Sequence, residues 1–155
     1  MTPAINVAKK KKIFHKVHQY SHDPTHDSYG REAAEKLGIA EERVYKTLVV
    51  QLGPQNLAVA VIPVSTMLNM KLIAKATGAK KAAMAPKALV EKTTGYVLGG
   101  VSPLGQKKRL STVIDRSAKD FPTIFVSGGR RGLDIELSPD DLAILTAATF
   151  AEITG

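Results

Sequence analysis

The chain has 155 residues, with 22 Lys and Arg against 14 Asp and Glu for a formal net charge of +8, and no cysteine. That length suits one domain able to bury a core without staples, and a hydrophobic content of 44% excludes wholesale disorder. The missing cysteine excludes disulfides, thiolate metal sites and a cysteine nucleophile, while the basic excess attracts polyanions, nucleic acid above all, or serves solubility alone.

In chain order, Thr2-Pro3 reads as an N-cap and first-turn proline opening a helix that ends in the Lys9–Lys12 run, where cations suit the helix dipole. These charges follow a weak apolar patch, the reverse of a signal peptide. IFHKVHQY (13–20) alternates as a strand, and GREAAEKLG (30–38) is a helix stopped by Gly38. YKTLVVQL (45–52) and NLAVAVIPV (56–64) form a hairpin of central strands around GPQ. The apolar run 57–64 is too short to span a bilayer. No membrane association and a cytoplasmic address are expected.

Two helices follow at 69–78 and 85–95, each closed by glycine, then strands at 109–115, 123–129 and 133–137. SPDDLAILTAA (138–148) is a helix with Ser138 as cap and Asp140 and Asp141 in its first turn, and FAEIT closes the chain as a short strand. Hairpins mixed with crossovers give an α+β class. The expected architecture is a single compact domain over 1–155, a mixed or antiparallel sheet or small barrel with flanking helices.

GYVLGGVSPLGQKKR (95–109) holds four glycines and a proline, then three cations. Gly100 to Gly105 has Walker spacing, but Gln106 and Lys107 stand where lysine and a hydroxyl residue are needed, so phosphate transfer by a P-loop is excluded. What remains is a loop whose main chain lets a ligand approach and whose N–H groups hold an anion or carbonyl oxygen. The alternative is a tight turn before a strand.

The four histidines fall at 15, 18, 22 and 26, but strand geometry sends His15 and His18 to opposite faces and no H-E-x-x-H is present. We expect no metal and solvent-facing histidines. G-x-S-x-G is absent, leaving Ser102 and Ser127 as ligand hydroxyls or turn serines. Asp134 and Glu136 share a strand face, fitted to proton handling or to a surface ion pair. Lys46 precedes the most apolar strand, placing its amine at a sheet end, suited to an anion or simply solvated.

Seven blocks of the chain, MTPAI (1–5), HDP (22–24), EAAEKLG (32–38), VYKTLVV (44–50), TTGYVLGG (93–100), SPLGQKKR (102–109) and FVSGGRRGLDIEL (125–137), together resemble the YbaK/EbsC family. These proteins are free-standing relatives of the editing domain inserted in bacterial prolyl-tRNA synthetase. The resemblance runs nearly end to end. It implies trans-editing of mischarged Cys-tRNA(Pro), extending to Cys-tRNA(Cys), in which the substrate's own thiol attacks the ester and the protein positions it. No cofactor is implied. The partners implied are the aminoacyl end of tRNA and prolyl-tRNA synthetase.

By the same resemblance, Lys46 holds the terminal adenosine or its phosphate, Gly99 and Gly100 contact the ester, and Tyr20, Ser127 and Asp134 belong to the pocket. Thr47 and Pro103 fall with the substrate-binding positions, and Lys107, Lys108 and Arg109 meet tRNA phosphates. Tyr29 departs from the phenylalanine of close members. Two rivals stay open: an Ala-tRNA(Pro) deacylase using water, and a non-catalytic RNA- or nucleotide-binding module. Only 5% of residues are aromatic, few platforms for stacking bases.

Overall fold

The computed structural model describes residues 1–26 and 28–155. Helix α1 (Pro3–Lys10) begins where the Thr2 side chain accepts the Ile5 N–H and ends on Lys9 and Lys10. Strand β1 (His15–Gln19) leads to α2 (Tyr29–Leu37), capped by Ser28 and closed by a left-handed Gly38. The hairpin of β2 (Tyr45–Gln51) and β3 (Leu57–Pro63) runs in register from Tyr45↔Pro63 to Gln51↔Leu57. Helices α3 (Met70–Thr77) and α4 (Lys87–Thr94) flank a two-residue strand β4 (Ala83–Met84). The remainder is β5 (Ser111–Asp115), β6 (Ile124–Arg130), β7 (Leu133–Leu137), α5 (Pro139–Thr146) and β8 (Thr149–Ala151).

The differences from the sequence reading are local. β4 is too short to show a period, as are the 3-10 turns Glu41–Arg43 and Arg116–Asp120. Helix α5 stops at Thr146 because Ala147 turns left-handed (φ 55°) and the Ala148 N–H folds back to the Ala143 carbonyl. The last strand is shorter than 150–154 because the Ile153 N–H is taken by the Asp115 carboxylate, 3.1 Å away.

Two sheets result. One is mixed, in the order β4-β2-β3-β5-β8, and the other antiparallel, in the order β1-β7-β6. They touch through a parallel bridge between Val44 and Phe125 and do not close into the small barrel held open as an alternative. The main core lies between them, where Val49, Val59, Val61 and Ile114 meet Ile124, Val126, Ile135 and Leu137. A second core, with Ala58, Ala60 and Ile62, lies on the other face of β3 beside Ile73 of α3. β3 is therefore covered on both faces, which explains why it reads as an unbroken apolar run and not as an alternation. A third cluster joins Ala33 and Ala34 of α2 to Val44, Val64 and Phe125. That cluster sets α2 across the junction of the sheets, and the site lies beneath it.

Candidate active site

The outer edge of β2 is bridged to β6 at Val44 and paired with β4 at Val50. From Lys46 to Leu48 no strand is paired with that edge among the described residues, and a cavity of about 320 Å³ opens there. Tyr45, Lys46, Thr47 and Leu48 form one wall. Leu98, Gly99 and Val101 of the glycine loop form another, Ser127 of β6 and Asp134 of β7 lie at its base, and Tyr29, Gly30 and Ala33 of α2 contribute a third side. Arg130 also lines it, at the end of β6.

Among the described residues, three polar side-chain groups of this cavity lack a hydrogen-bond or ion-pair partner. The Thr47 hydroxyl oxygen is buried without a hydrogen bond. Asp134 is 6% exposed, and burial alone pushes its carboxyl up to about 7. The Lys46 amine is held below its usual value, first by burial and then by the Arg31 charge. Neither the Asp134 nor the Lys46 side chain makes a hydrogen bond or ion pair among the described residues. Buried polar groups are nearly always satisfied, so an acid, a cation and a hydroxyl left open in one cavity mark a binding site.

The glycine loop is fixed from several sides. The Tyr96 hydroxyl donates to the Leu104 carbonyl at 2.5 Å, the Leu98 N–H donates to Glu91 of α4 at 2.9 Å, and the Gly100 N–H returns to the Val97 carbonyl at 2.9 Å. Glycine is required at both 99 and 100. Gly99 has φ +94°, and a Cβ there would stand 2.9 Å from the Tyr29 ring. A Cβ on Gly100 would stand 2.7 Å from the Arg130 Cα, which is backbone and cannot rotate away. Gly100→Ala is accordingly expected to cost about 1–3 kcal/mol through overpacking and to displace the loop. Thermal unfolding checks it. An unchanged melting temperature would mean that the loop is not wedged.

A model of the aminoacyl-tRNA editing domain matches residues 22–145. The chain belongs to that family. Among relatives, it is 40% identical over 153 residues to the Enterococcus faecalis protein named "Putative Cys-tRNA(Pro)/Cys-tRNA(Cys) deacylase EbsC", covering 99% of this chain and 93% of that one. It is 30% identical over 112 residues to uncharacterized YwhH of Bacillus subtilis, covering 72% and 71% of the two chains. In fold, it matches the crystal structure of a "putative trans-editing enzyme for prolyl tRNA synthetase" with TM-score 0.85, at 22% identity, over 100% of this chain and 98% of that one. The enzyme class expected from the resemblance, aminoacyl-tRNA deacylation, goes with the family.

Within this editing domain the structure brings Lys46, Thr47, Tyr29, Gly99, Ser127 and Asp134 to one cavity, with Gly100 packed directly behind. Tyr20 is not on the cavity lining. It is half-buried among Ala33, Ala34 and Val44, and its phenol is raised to about 12 by burial and then by the Asp134 charge. Pro103 is also placed elsewhere. It is buried away from this cavity and lines a second one, of about 400 Å³, with Lys11 and Arg109. The reason is that Gly105 packs against Pro3 and Ala4, which turns the 102–105 segment toward α1.

Lys107 and Lys108 also stay outside the first cavity, exposed, with their N–H groups donating to the carbonyls of Thr94 and Thr93 at the end of α4. Arg109 donates to the Leu145 carbonyl at 3.2 Å, at the negative end of α5. Of the paired acids, Glu136 is the one in ion pairs, with His18 at 2.9 Å and Arg43 at 3.6 Å. Burial opposes its ionisation, but bonds from Thr123 and His18 outweigh this and keep its carboxyl below the usual range. The histidines are less solvent-facing than expected. His22 is exposed, whereas His18 leans on Phe125 with ring centroids 5.1 Å apart. Among the described residues no acid and histidine group forms a metal cluster, and no helix is long and apolar enough to cross a membrane.

Proposed function

We propose that the protein removes cysteine from mischarged Cys-tRNA(Pro), and from Cys-tRNA(Cys) as a second substrate. The observation that carries the reading is the set of open polar groups in one cavity of about 320 Å³. Lys46 supplies a cation that holds the terminal adenosine or its phosphate and also stabilises the negative charge developing on the ester. Gly99 and Gly100 bring main chain against the ester, and Asp134 faces the amino acid with Ser127 and Thr47. Tyr20, just after β1, is close enough to Asp134 to feel its charge and backs it from outside the cavity lining. The name of the relative at 40% identity supports the choice of substrate.

The nucleophile comes with the substrate. The chain has no thiol. The Ser127 oxygen accepts the Gly129 N–H at 3.2 Å, the Ser102 oxygen accepts the Leu104 N–H at 3.2 Å, and neither has a histidine beside it among the described residues. The substrate sulfur attacks the ester carbonyl, a carbon–sulfur bond forms as the carbon–oxygen bond to the ribose breaks, and the tRNA hydroxyl takes up the proton. Holding thiol and ester together is a proximity effect. Lys107, Lys108 and Arg109, exposed outside the cavity, face the tRNA backbone. Prolyl-tRNA synthetase is the partner that would present the mischarged tRNA, in the cytoplasm, in line with the fold match to a trans-editing enzyme for that synthetase.

Release of labelled amino acid from Cys-, Ala- and Ser-tRNA(Pro) tests this. Serine keeps the size of cysteine but is a poorer internal nucleophile. Cysteine is expected to be released at least tenfold faster than either, a margin of about 1.4 kcal/mol. Equal release of all three would assign the attack to water and overturn the reading. No release from any would leave a binding module.

A further inference from the structure

The Arg131 side chain sits outside the reacting groups, yet it is bound into the walls of the cavity. Its Nη2 donates to the carbonyl of Asp23 at 2.6 Å and of His26 at 3.4 Å, and pairs with Glu32 at 3.4 Å. Glu32 is fully buried, and its other oxygen accepts the Asp23 N–H. The guanidinium is thus fixed from one side by the 23–26 segment and α2. Its central carbon, Cζ, lies over the Tyr29 ring, 4.3 Å from the ring centre. The ring in turn packs on Gly99, where a Cβ would come within 2.9 Å of it. On the far side of the loop, Gly100 rests on the Arg130 backbone, with the Arg131 nitrogen 3.1 Å from its would-be Cβ.

The glycine loop is therefore wedged between the Tyr29 ring and the Arg130–Arg131 backbone, and Arg131 bears on both. We infer that Arg131 is a positioning residue of the site: through Tyr29 it sets how deeply Gly99 and Gly100 stand in the cavity, and hence where the ester is held. This rests on the deacylase reading above for its kinetic consequence, and on packing alone for its structural one. Arginine suits the place because its guanidinium carbon lies over the Tyr29 ring while Nη2 donates to the carbonyls behind it, and a lysine ammonium has no planar group to lay on the ring.

Arg131→Lys keeps the charge opposite Glu32 but loses the stack. The expected result is a kcat on Cys-tRNA(Pro) lowered about tenfold with KM within about twofold, since small misplacement costs turnover before affinity. Tyr29→Leu should produce a similar loss, and the double variant should be no worse than Tyr29→Leu alone, because both act through one contact. Hydrogen exchange at the Gly100 N–H, bonded to Val97 in the native loop, gives a readout independent of turnover. It should accelerate in both variants while the β3 amides stay protected. Losses that multiply in the double variant, or Gly100 exchange unchanged in folded Arg131→Lys, would overturn the proposal. Should Arg131→Lys lose its fold, Tyr29→Leu decides by the same exchange. If the wild type releases no amino acid, the function reading fails while the exchange result still judges the wedge.

Discussion

Lys46→Ala is expected to lower the turnover of Cys-tRNA(Pro) by about 10² to 10³, the usual effect of removing a group that stabilises developing charge, while weakening tRNA binding far less. Lys46 is the second residue of β2, opposite Ile62 of β3, so a strand anchored in two cores fixes its Cα. Its amine stands in the cavity with no acidic partner among the described residues, and burial lowers its proton affinity. A surface lysine held for solubility would have neither feature. Turnover and filter binding, measured together, separate catalysis from association. A variant that loses binding and turnover in equal proportion would reduce Lys46 to a phosphate contact, and an unchanged turnover would remove it from the mechanism.

Asp134→Asn has the second large effect, and it has two signs. The buried carboxyl titrates at about 7 against an ordinary value of 3.8. The native state thus keeps a proton that the unfolded chain has already released, and stability falls as pH rises from about 4 to above 7. The penalty at pH 8 is about 4 kcal/mol in order of magnitude. Asparagine stays neutral throughout and removes it. Denaturant unfolding should show the variant more stable than wild type at pH 8 and close to it at pH 4. Parallel stabilities at the two pH values would show that Asp134 is not desolvated. Deacylation should move the other way, falling about 10²-fold or more if this carboxyl handles a proton or faces the substrate's ammonium. A more stable, less active variant is the mark of a group kept for function at a cost to the fold.

The elements were readable because local chemistry and tertiary placement agree. Thr2-Pro3, Ser138, Gly38, Gly78 and Gly95 mark helix ends in the sequence and hold those positions in the fold. What could not be read depends on contacts between distant segments. Glu32 stands in EAAEKLG with no local sign of burial, and in the fold it is fully buried with Arg131, 99 residues away, and the Asp23 N–H as partners. Arg130 and Arg131 lie in a block that carried the family resemblance, but no local signal shows that one lines the cavity and the other stacks on Tyr29. Pro103 was placed with the substrate-binding positions by the resemblance, and its neighbours in the fold are set by α1. The choice between Asp134 and Glu136 was open in the sequence because both point to one face of β7. Arg43 and His18 answer Glu136 and leave Asp134 to the cavity.

The central claim is that the protein positions the ester and the substrate supplies the nucleophile. Its most direct measurement is the identity of the first product released from Cys-tRNA(Pro), quenched within one turnover and separated before hydrolysis. The account predicts cysteine thiolactone ahead of free cysteine, with none formed by Lys46→Ala above the uncatalysed rate. Free cysteine as the first product, carrying oxygen from labelled water with no thiolactone at any time point, would contradict it.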